Sequence, residues 1–195
     1  MNNIEVIDNF LEKDIFDIIY DKINDVNFPW FKNKDSYTIE EKDLDKTGDF
    51  KDIVEHMQFV HLFLTFNKEK NVYEKSNHFS IIQVLCNKLL QKYTKNDIFI
   101  KRAKVNLQPQ NLRFNENNHN TPHIDLKNEE HKVLLFYVND SDGDTFFFDN
   151  NKKIVKKVSP IKNRAIIFDG NILHAGSHPK NSDCRIVINI DFKHA

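Results

Sequence analysis

Hydrophobic positions along the chain change their period once. In the first half Ile15, Ile18, Ile19 and Ile23 recur at helical spacing. They predict an amphipathic helix from about Lys13 to Asn24, preceded by a short alternating strand, Ile4-Glu5-Val6-Ile7. A second helix fits about Phe79 to Tyr93, with Ile82, Leu85 and Leu89 along one stripe. From Ile98-Phe99-Ile100-Lys101-Arg102-Ala103-Lys104-Val105 onward, short apolar runs alternate with Asn, Asp and Gly turns. That pattern predicts an all-β sandwich or barrel. In Arg185-Ile186-Val187-Ile188-Asn189-Ile190, strand alternation sets Arg185, Val187 and Asn189 on one face, which makes Asn189 a candidate pocket residue.

Residues 32–75 are the least regular part, with charged runs at Asn33-Lys34-Asp35 and Glu40-Glu41-Lys42-Asp43 and an apolar burst at Phe59-Val60-His61-Leu62-Phe63-Leu64. The cluster Phe28-Pro29-Trp30-Phe31 is expected to close the first helix as an aromatic, packed turn. A length of 195 residues suits one domain, and no repeat or Pro/Gly/Ser-rich linker divides it. With 39% hydrophobic and 29% charged residues, the composition supports a real core. A net charge of −1 gives no reason to expect a nucleic acid or an acidic membrane as partner. Cys86 and Cys184 fit a reduced, cytoplasmic state. The opening Met1-Asn2-Asn3-Ile4-Glu5 lacks the features of a secretory signal, and no apolar run approaches the roughly 20 residues that span a bilayer. The expectation is a soluble protein.

The candidate chemistry centres on Thr121-Pro122-His123-Ile124-Asp125. In an extended strand His123 and Asp125 would point to one side, with Pro122 stiffening the approach. His174, in Ile172-Leu173-His174-Ala175-Gly176, offers a third ligand. Two imidazoles and one carboxylate on one face leave open positions on a bound metal, the arrangement of non-haem Fe(II) oxygenases. His119 and His178 are the rivals of His123 and His174. His119 has no carboxylate two residues on, and His178-Pro179 reads as a turn. His56, His61 and His131 are expected to be structural.

With these elements in order, residues 98–192 resemble an Fe(II)/2-oxoglutarate-dependent dioxygenase of the prolyl 4-hydroxylase-like group. The matching residues are His123-x-Asp125, Leu135-Phe136-Tyr137-Val138-Asn139, Gly143-Asp144-Thr145-Phe146-Phe147, His174, and Arg185 eleven residues later. The resemblance implies a double-stranded β-helix, or jelly roll, within an α+β, mainly β fold. Residues 1–97 would supply support helices and a variable region over the mouth, where substrate selection partly lies. It implies Fe(II) held by His123, Asp125 and His174, with 2-oxoglutarate and O₂ as co-substrates and ascorbate as a further requirement to test. Arg185 would grip the distal carboxylate of 2-oxoglutarate through paired hydrogen bonds. Tyr137 stands where the family often places a phenol donating to that carboxylate. Thr145 lies in a Gly-Asp-Thr segment that resembles the family's Gly-Gly-x-Thr and departs from it at Asp144. Many relatives carry a Tyr on the strand before the motif; here Asn106 or Gln108 takes its place.

The implied reaction hydroxylates a substrate C–H while 2-oxoglutarate becomes succinate and CO₂. The substrate is a peptidyl proline, another side chain or a small molecule, and a homodimer stays open. Two alternatives come from other classes. One is a catalytically idle jelly-roll module for binding or assembly, opposed by the presence of all three ligands and Arg185. The other is a zinc hydrolase, since the same donors bind Zn²⁺; it leaves Arg185 and Tyr137 unexplained.

Overall fold

The computed structural model describes residues 4–33, 47–54, 56–67, 69–93, 98–127 and 129–194. The charged runs at 34–35 and 40–43 lie outside them. The elements run β1 (Ile4–Ile7), α1 (Lys13–Ile23), β2 (Phe31–Asn33), a 3-10 turn (Gly48–Asp52), β3 (Gln58–Asn67), β4 (Val72–Lys75) and α2 (Ser80–Lys92). The second half is β5 (Ile98–Pro109), β6 (Lys132–Tyr137), β7 (Thr145–Phe148), β8 (Ile154–Val158), β9 (Ala165–Asp169), β10 (His174–Gly176) and β11 (Cys184–His194). No helix among the described residues is long and apolar enough to cross a membrane.

Alternation dictates two layers. The large antiparallel sheet runs β1-β9-β6-β11-β5-β3-β2, with β4 paired to β3; the small one runs β10-β7-β8. Leu134 and Phe136 of β6, and Ile186, Ile188, Ile190 and Phe192 of β11, point to the helix side. Val133, Leu135, Tyr137 and Val187 point the other way, onto Phe147 and Ile172. Two faces of one strand thus feed two cores, and each fully buried side chain contributes about 1.5–3 kcal/mol. This is the two-sheet antiparallel architecture expected of a jelly roll.

On α1 the buried stripe is Phe16, Ile19 and Ile23. Ile18, expected in that stripe, is 57% exposed, because the wider Phe16 ring packs on Phe136 and turns the helix towards it. The packing face of α2 is Ile81, Ile82, Leu85, Cys86 and Leu89. Phe28 is buried, but Phe31 is 61% exposed and opens β2 instead of ending in a packed turn. Two bulges reset the alternation, between Leu62 and Leu64 of β3 and at Lys101 of β5, opposite the Asp191–Phe192 step of β11.

Candidate active site

Local backbone forces bring the three proposed ligands together. His123 and His174 exchange both backbone hydrogen bonds, at 2.9 and 3.2 Å, as an isolated antiparallel bridge. Asp125 lies in a bend just beyond that bridge, so its convergence with His123 comes from the bridge and the bend and not from a continuous strand. Each imidazole also uses its own chain to fix its tautomer. His123 Nδ1 donates to Thr121 O at 3.1 Å and His174 Nδ1 to Ile172 O at 3.0 Å. Both Nε2 lone pairs are therefore left for a metal. The ligand atoms of His123, Asp125 and His174 all lie within 4.8 Å of one another.

Asp125 is buried, and its charge is set by neighbours. The Arg102 guanidinium pairs with one carboxylate oxygen, and Asn189 Nδ2 donates to the other at 3.1 Å. His174 Nε2 lies 3.3 Å from the same second oxygen. Burial alone would raise the pKa of Asp125; the Arg102 charge and the His174 contact outweigh it and hold the carboxyl well below its ordinary range. Burial, followed by the neighbouring His174, pushes His123 down to about 4, so its ring is neutral at physiological pH. Arg102 Nε also donates to Asp191 at 2.6 Å. Burial and then the charge of Asp125 push Asp191 up to about 7.

At the other end of a cavity of about 50 Å³ stands Arg185, beside Gln108, Asn106 and Thr145. Its two terminal nitrogens donate to Gln108 Oε1 at 2.5 Å and Thr145 Oγ1 at 2.7 Å. Its Nε is buried without a partner. Burial lowers its pKa, and among the described residues no carboxylate pairs with it. The Asp183 and Asp191 side chains, natural candidates for an ion pair, are not its partners. A buried cation met only by neutral acceptors fits an anionic ligand, and the His₂Asp donor set fits Fe(II). Glycines allow the close packing around Arg185. A Cβ on Gly176 would come within 3.1 Å of the Arg185 guanidinium, and one on Gly143 within 2.5 Å of Ser177 O.

The remaining sequence candidates divide. Asn106 lines the cavity with Oδ1 unpartnered, while Asn189 lines it with its amide committed to Asp125. The Tyr137 hydroxyl, expected to face the co-substrate, bonds Thr145 Oγ1 at 2.6 Å, and its ring lies 5.6 Å from the Arg185 guanidinium. It stands behind the pair that faces the cavity. His119 uses both ring nitrogens on the carbonyls of Asn120 and Asp49, and His61 bonds Pro29 O and Ser76 Oγ. Sequence reasoning missed Arg102 and Lys104. Their signal is phase: they share the alternation of Asn106 and Gln108 on β5, whose pairing with β11 turns that face inward.

Comparison with known proteins agrees with this geometry. Residues 109–192 match the model of the 2OG-Fe(II) oxygenase superfamily. No curated protein matches the sequence. A 2OG-Fe(II) oxygenase family oxidoreductase from Burkholderia pseudomallei superposes with a TM-score of 0.66 at 9% identity, over 97% of this chain and 85% of that one. The viral collagen prolyl hydroxylase of Paramecium bursaria Chlorella virus-1 gives 0.55 at 18%, over 98% and 96%. A prolyl-4-hydroxylase from Pseudomonas putida gives 0.59 at 11%, over 99% and 93%. Residues 109–192 thus resemble the 2OG-Fe(II) oxygenase superfamily, and the described chain shares its fold with prolyl 4-hydroxylases.

Proposed function

We propose that the chain hydroxylates an aliphatic C–H, in the first instance on a prolyl residue, with Fe(II) held by His123, Asp125 and His174 and 2-oxoglutarate anchored by Arg185. The observation that carries the co-substrate assignment is Arg185, a buried guanidinium with neutral partners and a free Nε at the far end of the cavity from the His–Asp–His cluster. Bound Fe(II) and 2-oxoglutarate supply the oxidation, in which one oxygen atom of O₂ enters the substrate and the other succinate, with loss of CO₂.

The protein's own groups prepare that chemistry. Thr121 O and Ile172 O hold the imidazoles in the tautomer that presents Nε2. Arg102 and Asn189 hold the Asp125 carboxylate ionised and oriented. Tyr137 fixes Thr145, and Thr145 with Gln108 aims the Arg185 fork. The prolyl substrate class is supported by the motif resemblance and by the prolyl hydroxylases that share the fold. The unpaired thiols of Cys86 and Cys184 support a reducing, cytoplasmic setting.

An anaerobic titration with Fe(II) and 2-oxoglutarate tests this, followed through the visible charge-transfer band of the chelate. The wild type should give the band, and Arg185→Ala should need about 10-fold or more 2-oxoglutarate, since a charge-assisted pair is lost. Metal binding without a band would support the zinc alternative and overturn the proposal.

A further inference from the structure

Four polar residues of β5 share one phase, Arg102, Lys104, Asn106 and Gln108, and β11 sets Asp191, Asn189, Val187 and Arg185 beside them in turn. Three of these eight are cations. Arg102 lies between Asp125 and Asp191. Arg185 faces the end of the cavity assigned to the co-substrate. Lys104 lines the same cavity beside His123, and its ammonium forms no hydrogen bond or close ion pair with any described residue.

Charge counting isolates Lys104. On the oxygenase reading, the two charges of Fe(II) are met by Asp125 and by the carboxylate of 2-oxoglutarate that accompanies the keto group. The distal carboxylate meets Arg185, and Asp191 meets Arg102. One inward-facing ammonium is left without a counter-ion, and enclosing it that way is costly. Burial and the nearby Arg102 depress its pKa, outweighing the charges of Asp125 and Asp191, which raise it. The surface beside it is apolar and open. Leu62 of β3 pairs with Lys104 and is 46% exposed, and Val60 pairs with Asn106.

We infer that Lys104 receives a carboxylate carried by the substrate near the C–H that is hydroxylated, with Leu62 and Val60 supporting the substrate's apolar body. This rests on the oxygenase reading and narrows it: the preferred substrate is an acid, whether a free small acid, a chain-terminal carboxylate or an acidic residue beside a target proline.

The full chain loaded anaerobically with Fe(II) and 2-oxoglutarate is titrated calorimetrically with matched twins. These are 3-phenylpropionate and its amide, N-acetyl-L-proline and its amide, and an acetylated, amidated Pro-Asp peptide and its Pro-Asn twin. At least one acid should bind 10-fold or more tighter than its neutral twin, and the pair discriminated identifies the source of the carboxylate. Lys104→Met should abolish the preference. Leu62→Asp, which places a carboxylate next to Lys104 from an exposed position, should abolish it as well without touching the interior. If wild type treats all twins alike, or the preference survives Lys104→Met, the inference is overturned. A charge-transfer band that needs more 2-oxoglutarate in Lys104→Met would assign Lys104 to the co-substrate and overturn it too. Absence of the band in wild type is a different failure, that of the oxygenase reading itself.

Discussion

Two arginines lie on the same face of the large sheet, Arg102 partly buried and Arg185 buried, and they are opposites. Arg102 sits between two carboxylates, which raise its pKa against the opposing effect of burial. Arg185 meets only neutral groups, the Gln108 amide, the Thr145 hydroxyl and the Tyr137 phenol, and burial lowers its pKa. The first is satisfied by the folded chain alone. The second keeps a buried Nε without a partner, which the proposed function assigns to an arriving anion. A cation's neighbours thus separate a structural clamp from a receptor more sharply than its depth does.

The largest effect should come from the ligands that the clamp supports. His123→Ala or Asp125→Ala should reduce iron-dependent succinate formation by more than about 100-fold, the upper end for losing even an outer-shell partner. Retained turnover in either variant would remove the ligand assignment. Arg102→Met should destabilise the metal-free protein by about 3–5 kcal/mol, because two carboxylates lose their shared cation. Arg185→Met should cost the metal-free fold less than about 1 kcal/mol while weakening 2-oxoglutarate binding about 10-fold or more. Equal losses of melting temperature in the two variants would erase the distinction between clamp and receptor.

The smallest predicted effect is on pH dependence. His123 is pushed down to about 4 in the fold, so the unfolded chain takes up its proton first and stability falls as pH drops from about 6.5 towards 4. Asp191, pushed up to about 7, acts in the opposite sense, because the fold keeps a proton there that the unfolded chain releases. The metal-free wild type should therefore be nearly flat across this range. Asp191→Asn should uncover the His123 slope, worth up to about 2 kcal/mol, in thermal melts read at several pH values. A flat profile in that variant would show that His123 does not carry it.

Much of the fold was legible because alternation survives burial. Ile186, Ile188 and Ile190 face the helices while Arg185, Val187 and Asn189 face inward, as the period of two requires. The candidate ligand set was legible because few residue types serve a metal, and the fold sets His123, Asp125 and His174 within 4.8 Å of one another. Arg102 and Lys104 were not, since cations in an alternating strand look like a solvated face until the partner strand is known. Bulges at Phe63 of β3 and Lys101 of β5 hid more, because one extra residue exchanges the two faces without any compositional mark. For Tyr137 the spacing located the neighbourhood, and packing adds that its hydroxyl bonds Thr145 Oγ1.

The reciprocal backbone bridge between His123 and His174 carries a consequence for handling the protein. Segments distant in the chain are fastened by main-chain bonds, so the binding geometry does not depend on the metal to assemble it. Stripping with a chelator should leave a folded receptacle, and reloading should be a simple association without a refolding lag. A redox-inert divalent ion of similar size should then load into the same receptacle and hold the substrate complex still for crystallography.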